Sequence, residues 1–125
     1  MLERDAFSEW MNIEVISISK GKCKLICTIK QEMLNGFEIL HGGITFSLSD
    51  SALAFAANSY GYKCVSIETS ISHLRPVGLN EKLTVEATEI HRGKTIGIYQ
   101  VDIFTEEQKL VSKFKGTVNI SKDKW

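Results

Sequence analysis

Proline is almost absent and cysteine is scarce: the 125 residues hold one proline, Pro76, and three cysteines, Cys23, Cys27 and Cys64. With no Pro/Gly/Ser-rich tract to serve as a linker, a single domain over residues 1–125 is expected. An odd cysteine count without CxxC spacing gives neither a disulfide framework nor a zinc site. Cys23 and Cys27 lie in an alternating segment, where they read as small apolar fillers on one strand face. A reducing cytosol is the expected compartment. Charge of one sign is also lacking, since 15 basic residues balance 15 acidic ones. That balance argues against a nucleic-acid binder, which carries a basic surplus. The longest apolar run, Ala52 to Ala57, falls far short of the about 20 residues that cross a bilayer. The start, Met1-Leu2-Glu3-Arg4-Asp5, is charged and has no apolar signal region behind it. No membrane partner is expected.

What is present is strongly patterned. Leu2, Ala6, Phe7 and Trp10 fall at roughly helical spacing and predict a short amphipathic helix. Two β-like stretches follow, Ile13–Ser19 and Lys22–Lys30, joined by the turn signal Lys20-Gly21. From Gly43 to about Tyr60 the apolar residues Ile44, Phe46, Leu48, Ala52, Leu53, Phe55, Ala56 and Ala57 surround a helix on most sides, so it should be buried. Gly61 is its natural stop. The second half is β-rich. Val65–Ser72 alternates with period two, and Lys82–Ile90 and Thr95–Phe104 are rich in β-branched residues. They flank the turn His91-Arg92-Gly93-Lys94. Leu110–Ile120 alternates again. Turns this short join antiparallel neighbours. One hairpin, one buried helix and a four-strand antiparallel meander are expected, an α+β arrangement in which a curved sheet wraps a long central helix.

The chemistry concentrates in Asn35-Gly36-Phe37-Glu38-Ile39-Leu40-His41-Gly42-Gly43 and the helix behind it. A His-Gly-Gly turn opening a helix leaves free N–H donors at its positive end, which favours negative charge in front of it. Such an end suits a developing oxyanion when a nucleophile or base lies nearby. Asp50 is the only charged side chain between His41 and Lys63. His41 reads as a cap or hydrogen-bonding partner of the turn before it reads as a base, and Asn35-Gly36 is by itself a common turn dipeptide. His73 reads as a strand-end residue, His91 as a turn residue and Glu68 as surface. Cys64 with His73 imitates a thiol–base pair, but nothing orients the two.

The pattern Asn35-x5-His41-Gly42-Gly43-x6-Asp50 closely resembles the hotdog-fold acyl-CoA thioesterases of the phenylacetate-pathway (PaaI-type) group. Leu74-Arg75-Pro76, Arg92-Gly93-Lys94-Thr95 and the strands up to Ile120 share the likeness, which spans about residues 12 to 120. Related 4-hydroxybenzoyl-CoA thioesterases place a glutamate where this chain has Asp50. The resemblance implies that the Gly42 N–H polarises a thioester carbonyl and that Asp50 is the nucleophile or general base. It implies that Asn35 orients the carbonyl or the water, and it matches Ser66 to a water-orienting serine of some relatives. It also implies dimers that pair again into tetramers.

Asp50 lies eight residues beyond Gly42, about 12 Å of helical rise, which an aspartate side chain does not bridge. A two-fold dimer with shared active sites follows as an expectation, one helix end and the other subunit's carboxylate forming each site. A thioester is already an activated acyl donor, so no metal or other cofactor is expected; coenzyme A is part of the substrate. Arg75, Arg92 and Lys94 are candidate contacts for its phosphates. Two rival functions are a hydroxyacyl-thioester dehydratase using His41 as base, which leaves Asp50 without a task, and a non-catalytic acyl-CoA sensor.

Overall fold

The computed structural model describes residues 5–125. Leu2, expected on the first helix, and the charged start Met1–Arg4 lie outside the described residues. Helix α1 spans Ala6–Trp10 and is capped by Asp5, whose carboxylate accepts from Ser8 N at 3.1 Å. Strands β1 (Glu14–Ser19) and β2 (Lys22–Thr28) form the expected hairpin, ending two residues before the predicted Lys30. Helix α2 covers Gly42–Ala57. A 3-10 turn over Asn58–Tyr60 and Gly61, at φ +94°, complete the predicted stretch. Strands β3 (Tyr62–His73), β4 (Lys82–Arg92), β5 (Ile96–Phe104) and β6 (Leu110–Lys124) follow.

All six strands belong to one antiparallel sheet in the order β1-β2-β4-β5-β6-β3. Helix α2 touches every one of them, so the central helix wrapped by a curved sheet stands as expected. The inner face supplies Cys23, Leu25 and Cys27 from β2, Leu83, Val85 and Ala87 from β4, Tyr99, Val101 and Ile103 from β5, and Phe114 and Val118 from β6. Burial pushes the Cys23 thiol up to about 12 and the Cys27 thiol up to about 11, so both remain protonated filler. Gly116 is where helix and sheet come nearest. A Cβ there would stand 2.6 Å from Leu53 Cδ2, closer than carbon atoms approach, so any side chain at this position would force the buried Leu53 to move. Among the described residues no helix is long and apolar enough to cross a membrane.

The expected four-strand meander is corrected. Only β4, β5 and β6 follow one another; β3 pairs with β6 at the far edge, and β4 sits beside β2. The connector over residues 74–81 makes the crossing. Eight extended residues reach about 26 Å, while the three strand spacings from β3 to β4 amount to about 14 Å. Among the described residues, pairing β3 with β6 leaves its other edge open. The apolar side chains that alternation assigned to a half-buried strand, Val65 and Ile67, are 69% and 60% exposed.

A β-bulge at Ile67 also changes which side chains of β3 face the helix. Cys64 and Ser66 pair with Ile120 and Val118, whereas Thr69, Ile71 and His73 pair with Gly116, Phe114 and Ser112. Directly paired residues share a face, and these five β6 positions are the inward ones. The extra residue flips the alternation, so even-numbered Ser66 and odd-numbered His73 both look inward.

Candidate active site

The loop before α2 is tied down by its own polar groups. Asn35 Oδ1 accepts from Phe37 N at 2.9 Å and Ile39 N at 3.4 Å, while Asn35 N donates to Ile39 O at 2.8 Å. Glu38 sits in the left-handed region at φ +61°, with its N–H bonded to Asn35 O at 3.0 Å. Asparagine favours such turns because its side chain substitutes for a backbone acceptor. Its Nδ2 has no acceptor among the described residues, so two donors are left for a ligand.

At the helix start the free donors are accounted for one by one. His41 is the N-cap: its Nδ1 accepts from Gly43 N at 2.8 Å, and its carbonyl accepts from Ile44 N at 2.9 Å. Among the described residues the Gly42 N–H has no acceptor. It is therefore the amide left at the positive end of a 16-residue helix. His41 serves as the cap that the sequence allowed. Gly42 opens onto a cavity of about 420 Å³ lined by Asn35, Thr45, His73, Arg75 and Val77.

Asp50 lies elsewhere. It is half-buried on α2 and lines a second cavity, of about 200 Å³, with Leu53, Cys64, Ser66 and Val118. Burial first, and the nearby Asp5 carboxylate second, raise its pKa above the usual aspartate value. Ser66 therefore shares a pocket with Asp50, and Asn35 shares one with Gly42. The two pairs stay apart within one chain, as eight residues of helix require.

The three basic candidates do not converge. Arg75 is exposed at the first cavity, and Lys94 is exposed on the β4–β5 turn. Arg92 is at the opposite end of α2. Its Nη1 donates to Ala57 O at 3.0 Å and to Tyr99 OH at 2.9 Å, and its guanidinium lies 3.9 Å over the Tyr60 ring. Tyr99 and Tyr60 both donate to Glu89, at 2.9 and 3.1 Å. Arg92 thus neutralises the negative end of the helix. Cys64 and His73 sit near opposite ends of β3, about 30 Å apart along an extended strand. They form no pair.

Two site residues escaped the sequence reading. Thr45 Oγ1 donates to Gly42 O at 2.9 Å and lies 3.2 Å from His73 Nδ1. The three-residue step from Gly42 to Thr45 is the local sign of that bond; His73 has none, because the bulge decides its face.

A sequence model of the thioesterase superfamily matches residues 37–112. The acyl-coenzyme A thioesterase PaaI of Escherichia coli is 39% identical, over 93% of this chain and 83% of its own. The structure of the E. coli PaaI protein from the phenylacetic acid degradation operon superposes with a TM-score of 0.97 at 36% identity, covering 99% of this chain and 90% of that one. A hypothetical thioesterase from Streptococcus pneumoniae, solved with coenzyme A, gives a TM-score of 0.88 at 26% identity, covering 91% and 92%.

Proposed function

This chain belongs to the thioesterase superfamily, and from that membership we propose that it hydrolyses acyl-CoA thioesters to the free acid and coenzyme A. One observation carries the reading: an amide with no partner among the described residues at the start of α2, and on the same helix a partly desolvated carboxylate. The thioester carbonyl oxygen accepts from the Gly42 N–H, where the helix end stabilises the charge that grows on it. Removing one such donor typically costs about 100- to 1,000-fold in rate. Asp50 either attacks the carbonyl carbon, expelling the coenzyme A thiolate and leaving a mixed anhydride that water hydrolyses, or takes a proton from a water held by Asn35 Nδ2 and Ser66 as that water attacks and displaces the thiolate. Thioester hydrolysis of this kind calls for no metal or further cofactor. The coenzyme A bound by the S. pneumoniae relative supports that carrier here. Of the three basic candidates, Arg75 and Lys94 are exposed and able to meet its phosphates, whereas Arg92 is held by the C-terminus of α2. A cytosolic location suits three free thiols.

The site is completed by a second copy of the chain. Each α2 gives its Gly42 N–H to one site and its Asp50 to the other, the reciprocity of a two-fold interface. The open edge of β3, with Val65 and Ile67 exposed, supports this pairing, because an unpaired apolar edge recruits another strand. Dimers of this kind would pair again into tetramers.

Mixing two inactive variants tests the arrangement. Asp50→Ala removes the carboxylate. Gly42→Pro removes the N–H at the first helical position, whose backbone suits proline after a His41 already extended at ψ 134°, although the ring must displace His73, 3.1 Å from a Cβ there. Random reassortment makes half the dimers mixed, each with one intact site, so about a quarter of wild-type activity returns. Subunits that exchange freely and stay inactive refute the shared site.

A further inference from the structure

One face of Gly42 is covered by an imidazole. A Cβ built there would stand 3.1 Å from His73 Nε2 and 3.2 Å from its Cε1. The other ring nitrogen, Nδ1, is 3.2 Å from Thr45 Oγ1, whose hydroxyl donates to Gly42 O at 2.9 Å. A hydroxyl has one hydrogen and two lone pairs. With the hydrogen on Gly42 O, Thr45 Oγ1 accepts from Nδ1–H. Neutral His73 then holds its proton on Nδ1 and presents a lone pair at Nε2. Among the described residues nothing donates to that lone pair, and the exposed ring opens on the same cavity as Gly42, Asn35 and Arg75.

An acceptor in this position selects a ligand donor. At the reacting end of a thioester the oxygen and sulfur are both acceptors. On a pantetheine arm the donor nearest the sulfur is the amide N–H two methylenes away. We propose that His73 is a specificity-determining residue whose Nε2 accepts a hydrogen bond from that amide, so that carrier thioesters are preferred over simple alkyl thioesters. The proposal rests on the thioesterase reading with Gly42 as the carbonyl donor, and adds a binding contact to it.

The test uses one acyl group on three thiols: coenzyme A, N-acetylcysteamine, which keeps only the amide in question, and butanethiol, which lacks it. In His73→Phe a flat, slightly larger ring remains and the acceptor goes. The kcat/KM for the first two thioesters should fall about fivefold to tenfold, the worth of one neutral hydrogen bond, through KM with kcat held. The butyl thioester, which offers His73 no donor, should lose much less, and its hydrolysis also shows that the variant is folded. His73→Gln restores an acceptor and should recover most of the loss. His73→Leu gives the same reading as His73→Phe if phenylalanine does not pack. Equal losses on all three thioesters, or no loss on any, overturn the proposal. A wild-type protein that hydrolyses none of the three sinks the thioesterase reading, and this proposal with it.

Discussion

Arg92→Ala separates a residue that anchors the helix from one that binds substrate. Its guanidinium donates to Ala57 O and Tyr99 OH and stacks on Tyr60. Charge-assisted hydrogen bonds are worth about 1.5–3 kcal/mol each, but neither partner is fully orphaned by truncation. Tyr99 OH still donates to Glu89, and Ala57 O keeps the weak Cys64 thiol donor at 3.4 Å. Allowing about 1 kcal/mol for each weakened bond, and about 0.5 kcal/mol each for the cation–π contact and the lost charge at the helix end, the total is about 3 kcal/mol. For 125 residues the unfolding entropy near the midpoint is about 260 cal/mol/K, so Tm should fall by about 11 °C. The assay is thermal unfolding at one protein concentration, paired with KM for an acyl-CoA at low and high salt. Arg92→Lys should recover less than half, since an ammonium neither forks nor stacks in this way. An unchanged Tm together with a KM that rises at low salt would refute the anchoring role and return Arg92 to the phosphates.

Two further outcomes follow from the same structure. Asp50→Asn should lower turnover by about 100-fold or more, the usual worth of a positioned base, yet raise Tm at pH 7. Burial lifts the folded pKa above the unfolded one, so the folded state binds more protons between the two values and stability falls as pH rises through that window. The gain from asparagine should therefore be full above the folded pKa and vanish below the unfolded one, as urea melts between pH 3 and 8 would show; a gain independent of pH contradicts it. Ile67→Lys places a charge on the open β3 edge. Sedimentation should show a shift toward monomer, with specific activity falling on dilution, and an active, fully monomeric variant would end the composite-site reading.

How much of this was legible in the chain depended on distance along it. The Asn35 turn, the His41 cap and the helix from Gly42 rest on hydrogen bonds spanning two to four residues, so residue order alone specifies them. The same locality makes the separation of Gly42 and Asp50 a matter of helical rise. The burial of α2 was equally readable, because apolar side chains surround it on most sides.

Strand order, by contrast, was misread at β3. Short turns identify neighbours, but the connector over residues 74–81 is long enough to pass two strands, and only the packing of the sheet chose β6. The bulge at Ile67 then set which side chains meet the helix. It brought His73 to Gly42 and Ser66 to the Asp50 cavity, against strict alternation. Arg92 illustrates the same limit. A basic residue in a turn reads as free surface charge until folding brings the carbonyl end of a helix 35 positions away against it. Sequence by itself determined where the helix and strands lie and the two candidate groups, the Gly42 amide and the Asp50 carboxylate, because their hydrogen bonds and spacing are local. Tertiary structure decided which cavity each group faces and which cations are free, because contacts between distant segments depend on packing that no local pattern encodes.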